Sequence, residues 1–332
     1  IRERYPAIRT IIITVHAATA PVAVEAIRAG AFDYLVMSRT FPDDLRSVVS
    51  KAIQEIEKEE TTSGKAQEPL FGEIIGRSPG ILAAADGLKK ALSSSRTTVL
   101  IEGEPGTGKE FFAKILHAKD PHRCSHAFIP VKCGAMAEDV LVRELFGVGE
   151  NVGGHSETPG VFAVADGGTV FLDEIDKAGP SVRVALLRLL DEGVFNRVGE
   201  VQPRSTDVRV VLAVGKGFSE RIAGDSFRQD LIRRLEIQII QLPPLKDRRE
   251  DLELLVGHFL TNFAEEMERD CRELSPEALA VLQKESWPDN VRGLQAVIKH
   301  AVLFSDNATI GVEEIRKAVE AHRQTPVLSS IS

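Results

Sequence analysis

No run of about 18 consecutive apolar residues occurs in this 332-residue sequence, so no segment of it is predicted to span a membrane. The opening residues, IRERYPAIRT, contain neither the apolar core nor the cleavage site of a secretory signal. These two absences lead us to expect a cytoplasmic protein. An initiating Met is also missing, and we expect the sequence to be a fragment of a longer chain.

Cysteine is scarce, and the spacing of Cys124, Cys133 and Cys271 matches neither a disulfide framework nor a metal site. We expect all three to be buried, reduced thiols. The net charge of −8 argues against a broad nucleic-acid-binding surface. The remaining composition, 43% hydrophobic and 27% charged, is ordinary for a globular protein.

Residues 1–60 alternate strand and helix signals, with the strand segments TIIITV and FDYLVM. Residues 61–70 are polar and unpatterned, which is typical of a linker. Residues 71–242 contain four more predicted strands, TTVLIEG, AFIPVKC, GGTVFLDE and DVRVVLAV, separated by helical segments. This alternation predicts a mainly parallel α/β sheet with helices on both faces. Residues 243–322 are predicted to form a second, helical subdomain, with helix signals only over residues 247–322, and residues 323–332 form a tail.

A glycine-rich segment, GEPGTGKE, directly follows the apolar segment TVLIE and precedes a predicted helix. Gly103, Gly106 and Gly108 let the backbone turn tightly and direct its N–H groups at phosphate oxygens. Lys109 adds a positive charge for the terminal phosphates. The spacing fits a P-loop, with Glu110 in place of the hydroxyl residue that usually touches Mg²⁺.

Two adjacent carboxylates end a later apolar segment, GGTVFLDEID. Asp173 suits the shell of a Mg²⁺ ion, reached through water because Mg²⁺ dehydrates reluctantly. Glu174 is then placed to polarise an attacking water as a general base. A helix N-cap is the alternative role for such a pair taken alone. The P-loop that precedes it favours a nucleotide site.

Arginine is concentrated in the segment SFRQDLIRRLEIQIIQLPPLKDRRED. We interpret Arg233, Arg248 and Arg249 as part of a solvated basic face. In WPDNVRGL the chain's single Trp precedes a predicted helix start, and Arg292 lies one turn inside that helix. Arg292 is therefore predicted to reach back toward a phosphate.

Together these motifs resemble the AAA+ domain of the NtrC-type bacterial enhancer-binding proteins, the sigma-54-dependent activators among the response regulators. The resemblance covers residues 71–320 and implies a P-loop parallel sheet followed by a helical lid. It depends on IIGRSP, GEPGTGKE, ELFG, ADGGTVFLDEID, LLRLLDEGVFNRVGE, FRQDLIRRL, LPPLKDRRED and WPDNVRGL. A glutamate after the P-loop lysine is usual in this family.

The resemblance implies a binding site for ATP or ADP with Mg²⁺. Ile74 and Ile75 would line the adenine pocket, while Asp173 and Glu174 would form the acidic Walker B pair. Arg292 would serve as the sensor arginine of the lid. The P-loop residues that would hold the phosphates are Gly103, Glu104, Pro105, Gly106, Thr107, Gly108, Lys109 and Glu110.

Arg228 and Arg234 match the family's arginine fingers, which complete the site of a neighbouring subunit. Because a monomer cannot complete its own site in this way, the resemblance implies a hexameric or heptameric ring. In GTPases an arginine finger contributes about 10³–10⁵ in rate, so assembly would switch hydrolysis on.

Two positions depart from the family pattern and favour slow hydrolysis. Lys132 replaces the asparagine that restrains the Walker B glutamate, and we predict an ion pair between Lys132 and Glu174. Gly215 replaces the sensor-one asparagine, which removes a polar contact to the γ-phosphate.

The family's mobile loop, GAFTGA, presses its Phe and Thr on sigma-54. Here residues 147–160 read GVGENVGGHSETPG, with flexible glycines but neither gripping residue at the tip. We therefore expect a degenerate loop and no contact with sigma-54 RNA polymerase. DNA contact is expected only through a C-terminal helix-turn-helix, which these residues do not include.

Residues 1–60 resemble the second half of a receiver domain from a two-component system, with Thr14 at the switch position. Met37 replaces the switch lysine and cannot pair with a phosphoryl group. The helix that follows has an apolar stripe formed by Leu45, Val49, Ala52 and Ile56. This stripe predicts either the coiled-coil seam of a dimer or packing on its own sheet.

Two functions fit these features. The first is an ATP-binding AAA+ transcriptional regulator that hydrolyses ATP slowly in an oligomeric ring. The alternative is an ATP-sensing oligomeric module with little hydrolysis, which regulates independently of sigma-54. Both bind nucleotide, so turnover by the assembled protein would distinguish them.

Overall fold

The computed structural model describes residues 11–14, 33–36, 71–150, 157–219, 227, 229, 231, 237–271, 273–305 and 307–324. The chain divides into two compact units, Ile1–Leu70 and Phe71–Ser332. In the first unit, strand β1 (Ile11–Thr14) pairs in parallel with strand β2 (Asp33–Val36), at the two predicted strand segments. The predicted helices of this unit, Met37 and the apolar stripe lie outside the described residues.

A five-stranded parallel sheet forms the centre of the second unit. Its strands lie in the order β4 (Phe128–Lys132), β5 (Thr169–Asp173), β8 (Arg209–Val214), β3 (Val99–Gly103) and β9 (Gln238–Leu242). The predicted parallel sheet and its four strand segments are therefore confirmed. Strand β9 adds a fifth strand at one edge, where burial on both faces is not needed and the apolar signal is weaker.

Helices cover both faces of this sheet because alternate strand residues point to opposite sides. Leu100 packs with the helices over residues 138–146 and 180–192, whereas its neighbour Ile101 packs with the helices over residues 79–92 and 109–119. A short antiparallel hairpin pairs β6 (Val194–Phe195) with β7 (Arg204–Ser205). The helices are α1 (Pro79–Leu92), α2 (Lys109–Lys119), α3 (Glu138–Phe146), α4 (Val161–Val164) and α5 (Pro180–Glu192).

A helical subdomain with its own apolar core follows the sheet. Its helices are α6 (Leu252–Glu266), α7 (Pro276–Lys284), α8 (Asn290–Phe304) and α9 (Val312–Gln324). The prediction of helices only was wrong in one detail, because β10 (Glu273–Leu274) pairs in parallel with β11 (Thr309–Ile310). Strands of this length are too short to leave a periodic signal in the sequence.

One buried ion pair joins the sheet to the helices that cover it. Arg209, the first residue of β8, is fully buried, and its Nη1 lies 2.8 Å from Asp120 Oδ2. Its Nη2 donates to the Ala91 carbonyl oxygen at 2.7 Å. The guanidinium of Arg209 therefore links the C-terminal ends of α1 and α2 to the sheet.

The cysteine prediction was only partly right. Cys133 and Cys271 are buried, whereas Cys124 is exposed in the turn that follows α2. Cys124 lies in a turn at the surface, where one side of the chain remains in contact with water. Within the described ranges, no helix is long and apolar enough to cross a membrane.

Candidate nucleotide-binding site

The glycine-rich segment forms a tight loop between β3, which ends at Gly103, and α2, which begins at Lys109. Gly106 has a φ of 76° and Gly108 a φ of 105°, values that favour glycine. A side chain at Gly106 would also collide with the Asp289 backbone oxygen. The N-terminus of α2 lines a cavity through Gly108 and Lys109, and backbone N–H groups at such a position favour an anion.

The side chain of Lys109 contacts the backbone of this loop. Its Nζ donates to the carbonyl oxygens of Gly103 at 2.9 Å and Glu104 at 3.3 Å. Burial lowers the pKa of Lys109, and the carboxylates of Asp173 and Glu174 oppose this shift. Lys109 is thus a half-buried cation whose electrostatic partners are the two predicted Walker B residues.

Asp173 is the last residue of β5, which is separated by β8 alone from β3, the strand that leads into the loop. Burial raises the pKa of Asp173, and the Lys109 ammonium opposes this shift. Its Oδ1 accepts a hydrogen bond from the Glu174 backbone N–H at 3.0 Å. The parallel arrangement therefore brings a carboxylate and a lysine, distant in sequence, to the same carboxyl edge of the sheet.

Glu174 adopts a left-handed conformation, with a φ of 56°, and precedes a short 3₁₀ turn over Ile175–Lys177. Its Oε1 lies 2.9 Å from the Nζ of Lys177. A side chain at Gly134 would collide with the same carboxylate, so the pair lies against the Gly134 backbone. The structure thus assigns Glu174 a partner that sequence reasoning missed, and the Lys132 ion pair stays a prediction.

The helical subdomain contacts the loop through the first turn of α8. Asn290 donates from Nδ2 to the Pro105 carbonyl oxygen at 2.9 Å and to Glu104 Oε2 at 3.3 Å. The backbone N–H of Arg292 donates to the Gly106 carbonyl oxygen at 3.3 Å. These bonds hold the predicted sensor arginine beside the loop.

A cavity of about 600 Å³ opens where the loop, the sheet edge and the helical subdomain meet. From the helical side it is also lined by residues of α6, among them His258 and Phe259. The predicted site residues that line it are Ile74, Ile75, Gly106, Thr107, Gly108, Lys109, Glu110, Asp173 and Arg292.

The other predicted site residues lie elsewhere. Gly103, Glu104 and Pro105 belong to the loop but do not line the cavity, and Glu174 is turned toward Lys177. The predicted finger residues, Arg228 and Arg234, lie outside the described residues.

The interpretation of Arg248 as a solvated residue was wrong. Arg248 is only 3% exposed, lines the cavity, and donates from Nη2 to the Thr107 carbonyl oxygen at 3.3 Å. Its neighbour Arg249 is exposed, as expected, and donates to the Gln283 carbonyl oxygen. Nothing in the local pattern DRRED separates the two arginines, since only the folded chain decides which one is covered.

The parallel sheet, the P-loop and the helical lid define the AAA+ fold of P-loop ATPases. Residues 74–241 match the family described as the Sigma-54 interaction domain, and residues 246–330 match the AAA+ ATPase lid domain. The chain therefore belongs to the sigma-54-dependent response regulators of the NtrC type.

Individual relatives agree with this assignment. The transcriptional regulatory protein ZraR of Salmonella typhimurium is 36% identical, over 100% of this chain and 74% of that protein. The DNA-binding transcriptional regulator NtrC of Escherichia coli is 35% identical, over 95% of this chain and 67% of that protein. NtrX from Brucella abortus, solved in complex with ATP, is 26% identical with a TM-score of 0.65, covering 99% of this chain and 72% of that one.

Proposed function

We propose that this chain binds Mg-ATP in the described cavity and hydrolyses it slowly as part of a ring. The observation that carries the proposal is that Lys109 and Asp173 line one cavity together with the P-loop backbone. The solved relative NtrX holds ATP, which supports nucleotide as the ligand. The chain would thus be an ATP-driven transcriptional regulator.

In this proposal, Lys109 and the N-terminus of α2 neutralise the phosphates, and Arg292 adds a cation from the lid. The donor set fits Mg²⁺, because Asp173 supplies a carboxylate oxygen and the remaining ligands would be water and phosphate oxygens. Within the described part of the chain, no group of three or more His, Cys, Asp or Glu side chains could hold a metal. Bound Mg²⁺ would supply neutralisation of charge on the phosphates.

Glu174 would orient and deprotonate the attacking water. Arg228 and Arg234 would reach the site of the neighbouring subunit, so the rate per protomer should rise with protein concentration. A rate that is brisk and constant in dilute, monomeric protein would contradict the proposal.

A complementation assay tests the ring directly. At an ATP concentration near the parent's Kd, Lys109→Ala protomers would keep their fingers and stay largely empty, whereas Arg228→Ala protomers would keep nucleotide and lose a finger. Each variant alone should be almost inactive, and their mixture should recover ATPase activity because the fingers of one complete the site of the other. No recovery on mixing, with both variants folded, would reject fingers supplied in trans.

A second function is favoured by the contact between Glu174 and Lys177 and by the missing side chain at Gly215. Both features would weaken the hydrolytic centre without affecting the P-loop. In this alternative the protein senses ATP by assembling and turns it over very little. ATP-dependent assembly, measured by light scattering, with no phosphate release above that of Glu174→Gln would support it.

Contact with sigma-54 is not part of the proposed function. The base of the coupling loop is closed by Val148 and Thr158, which exchange backbone hydrogen bonds at 3.0 and 3.1 Å. The loop sequence between them contains no aromatic residue, and each missing apolar anchor costs on the order of 2 kcal/mol at an interface.

We therefore expect no stable complex with sigma-54 on a native gel in the presence of an ATP transition-state analogue. A family member that carries GAFTGA serves as the positive control. A complex of similar stability with the present chain would overturn this part of the proposal.

A further inference from the structure

Arg248 lies at the start of the helical subdomain, between the 3₁₀ turns Leu245–Asp247 and Arg249–Asp251. Only 3% of its side chain is exposed, and it lines the same cavity as Lys109. Its one hydrogen bond in the described structure runs from Nη2 to the Thr107 carbonyl oxygen at 3.3 Å, which is long for such a bond. The buried guanidinium of Arg248 therefore faces the P-loop with most of its N–H donors lacking an acceptor in the described structure.

The positive charge of Arg248 has no counterion among the described residues. Asp251 is the nearest acidic influence, but its carboxylate accepts hydrogen bonds from the Arg77 N–H, the Ser78 N–H and the Ser78 hydroxyl. Asp251 acts on Arg248 only through its charge, without a direct hydrogen bond or ion pair among the described residues. The Nε of Arg248 also has no acceptor there.

Arg209 provides an internal comparison, since it is equally well buried. Its guanidinium has a carboxylate partner, Asp120, at 2.8 Å. Burial lowers the pKa of both arginines, and for Arg209 a direct hydrogen bond to Asp120 opposes the shift. A buried charge is costly unless it is paired, so Arg248 carries a cost that Arg209 avoids.

We propose that Arg248 is a phosphate-binding residue of the nucleotide site, and that the bound nucleotide supplies its missing counterion. A guanidinium matches the oxygens of a phosphate with two parallel donors, and the cavity that Arg248 lines is where the P-loop would hold phosphates. This proposal rests on the proposed function. It adds a second lid-side cation to Arg292, so that nucleotide binding would draw the lid's first turn and the P-loop together.

The test compares Arg248→Met with the matched control Arg249→Met, which removes a neighbouring exposed arginine. Titration calorimetry with ADP and with adenosine separates phosphate contacts from contacts to the base and sugar. We expect Arg248→Met to weaken ADP binding by about tenfold to a hundredfold, the effect of losing charge-assisted bonds, and to leave adenosine binding unchanged. Arg249→Met should bind both ligands like the parent.

Thermal unfolding without nucleotide distinguishes this role from a structural one. If Arg248 stabilised the fold, its replacement would lower the Tm. Replacing an uncompensated buried charge with an apolar side chain is neutral or stabilising, so the Tm of Arg248→Met should be unchanged or higher. The increase in Tm on adding ADP should shrink. Arg248→Lys, which keeps the charge but not the two parallel donors, should recover part of the ADP affinity.

Three results would overturn the inference. The first is equal ADP affinity for Arg248→Met and the parent. The second is a lowered Tm with parallel losses for ADP and adenosine, which would make Arg248 a packing residue. The third is a parent protein that binds no nucleotide, which would also reject the proposed function. Parent binding with either of the first two results rejects only the role of Arg248.

Discussion

The Nζ of Lys177 lies 2.9 Å from the Oε1 of Glu174, the residue that we propose as the general base. Both side chains are part of the turn that follows β5, and the hydrogen bond to Glu174 raises the pKa of Lys177. The carboxylate is therefore already engaged by a cation before any water or nucleotide arrives. In the proposed function, this ion pair would restrain hydrolysis.

Lys177→Met should release Glu174 and raise kcat for ATP hydrolysis. Ion pairs this exposed contribute about 0–1 kcal/mol, so the increase should be no more than about fivefold. KM for ATP should not change, because Lys177 does not line the cavity. Steady-state kinetics on the assembled protein measures both constants. Lys177→Arg keeps the pair and should behave like the parent, whereas a fall in kcat for Lys177→Met would show that Lys177 assists Glu174.

Lys109→Ala should weaken ATP binding by about tenfold to a hundredfold, because hydrogen bonds to charged groups contribute about 1.5–3 kcal/mol. Titration calorimetry gives the two dissociation constants. Lys90→Ala is a suitable control, since Lys90 is an exposed lysine of α1 that pairs only with Asp86 in the described structure. Equal ATP affinity for Lys109→Ala and the parent would place the nucleotide elsewhere.

Asp120→Ala should lower the free energy of unfolding by about 3–5 kcal/mol, because it leaves the fully buried Arg209 without its carboxylate. Urea denaturation followed by circular dichroism measures the change. The matched control is Asp86→Ala, which removes the exposed partner of Lys90 and should leave stability within experimental error. If the two variants lost the same stability, the buried pair would not be a structural anchor.

The cysteines should differ in reactivity toward iodoacetamide at pH 8. Burial raises the pKa of Cys133 to about 12, so its thiol stays protonated at this pH and is also covered. Cys271 is buried as well, whereas Cys124 is exposed. Mass spectrometry should therefore find Cys124 modified first in the folded protein and all three modified in urea. Rapid labelling of Cys133 without denaturant would show that the turn around it opens.

Several features of the site followed from local sequence alone. The P-loop was identifiable because its glycines and lysine must occur at fixed spacing after a buried strand, and Gly106 and Gly108 do have positive φ values. Asp173 was identifiable because the carboxyl ends of parallel strands share one edge of the sheet. The P-loop depends on residues that are close together in the chain. The placement of Asp173 depends on a general rule for parallel strands.

Other features depended on contacts between residues far apart in sequence. The hydrogen bond from Asn290 Nδ2 to the Pro105 carbonyl oxygen joins positions separated by 185 residues, and no sequence periodicity predicts it. The sequence predicted Lys132 as the partner of Glu174, whereas the fold also places Lys177 at its carboxylate.

By itself the sequence determined the parallel sheet, the P-loop and the family, because hydrophobic spacing and loop chemistry are local properties of the chain. Only the tertiary structure decided that Arg248 is buried in the cavity while Arg249 faces water. Two adjacent arginines carry the same charge and nearly the same local context. What separates them is which one the P-loop and the lid enclose, and burial is a property of the whole fold.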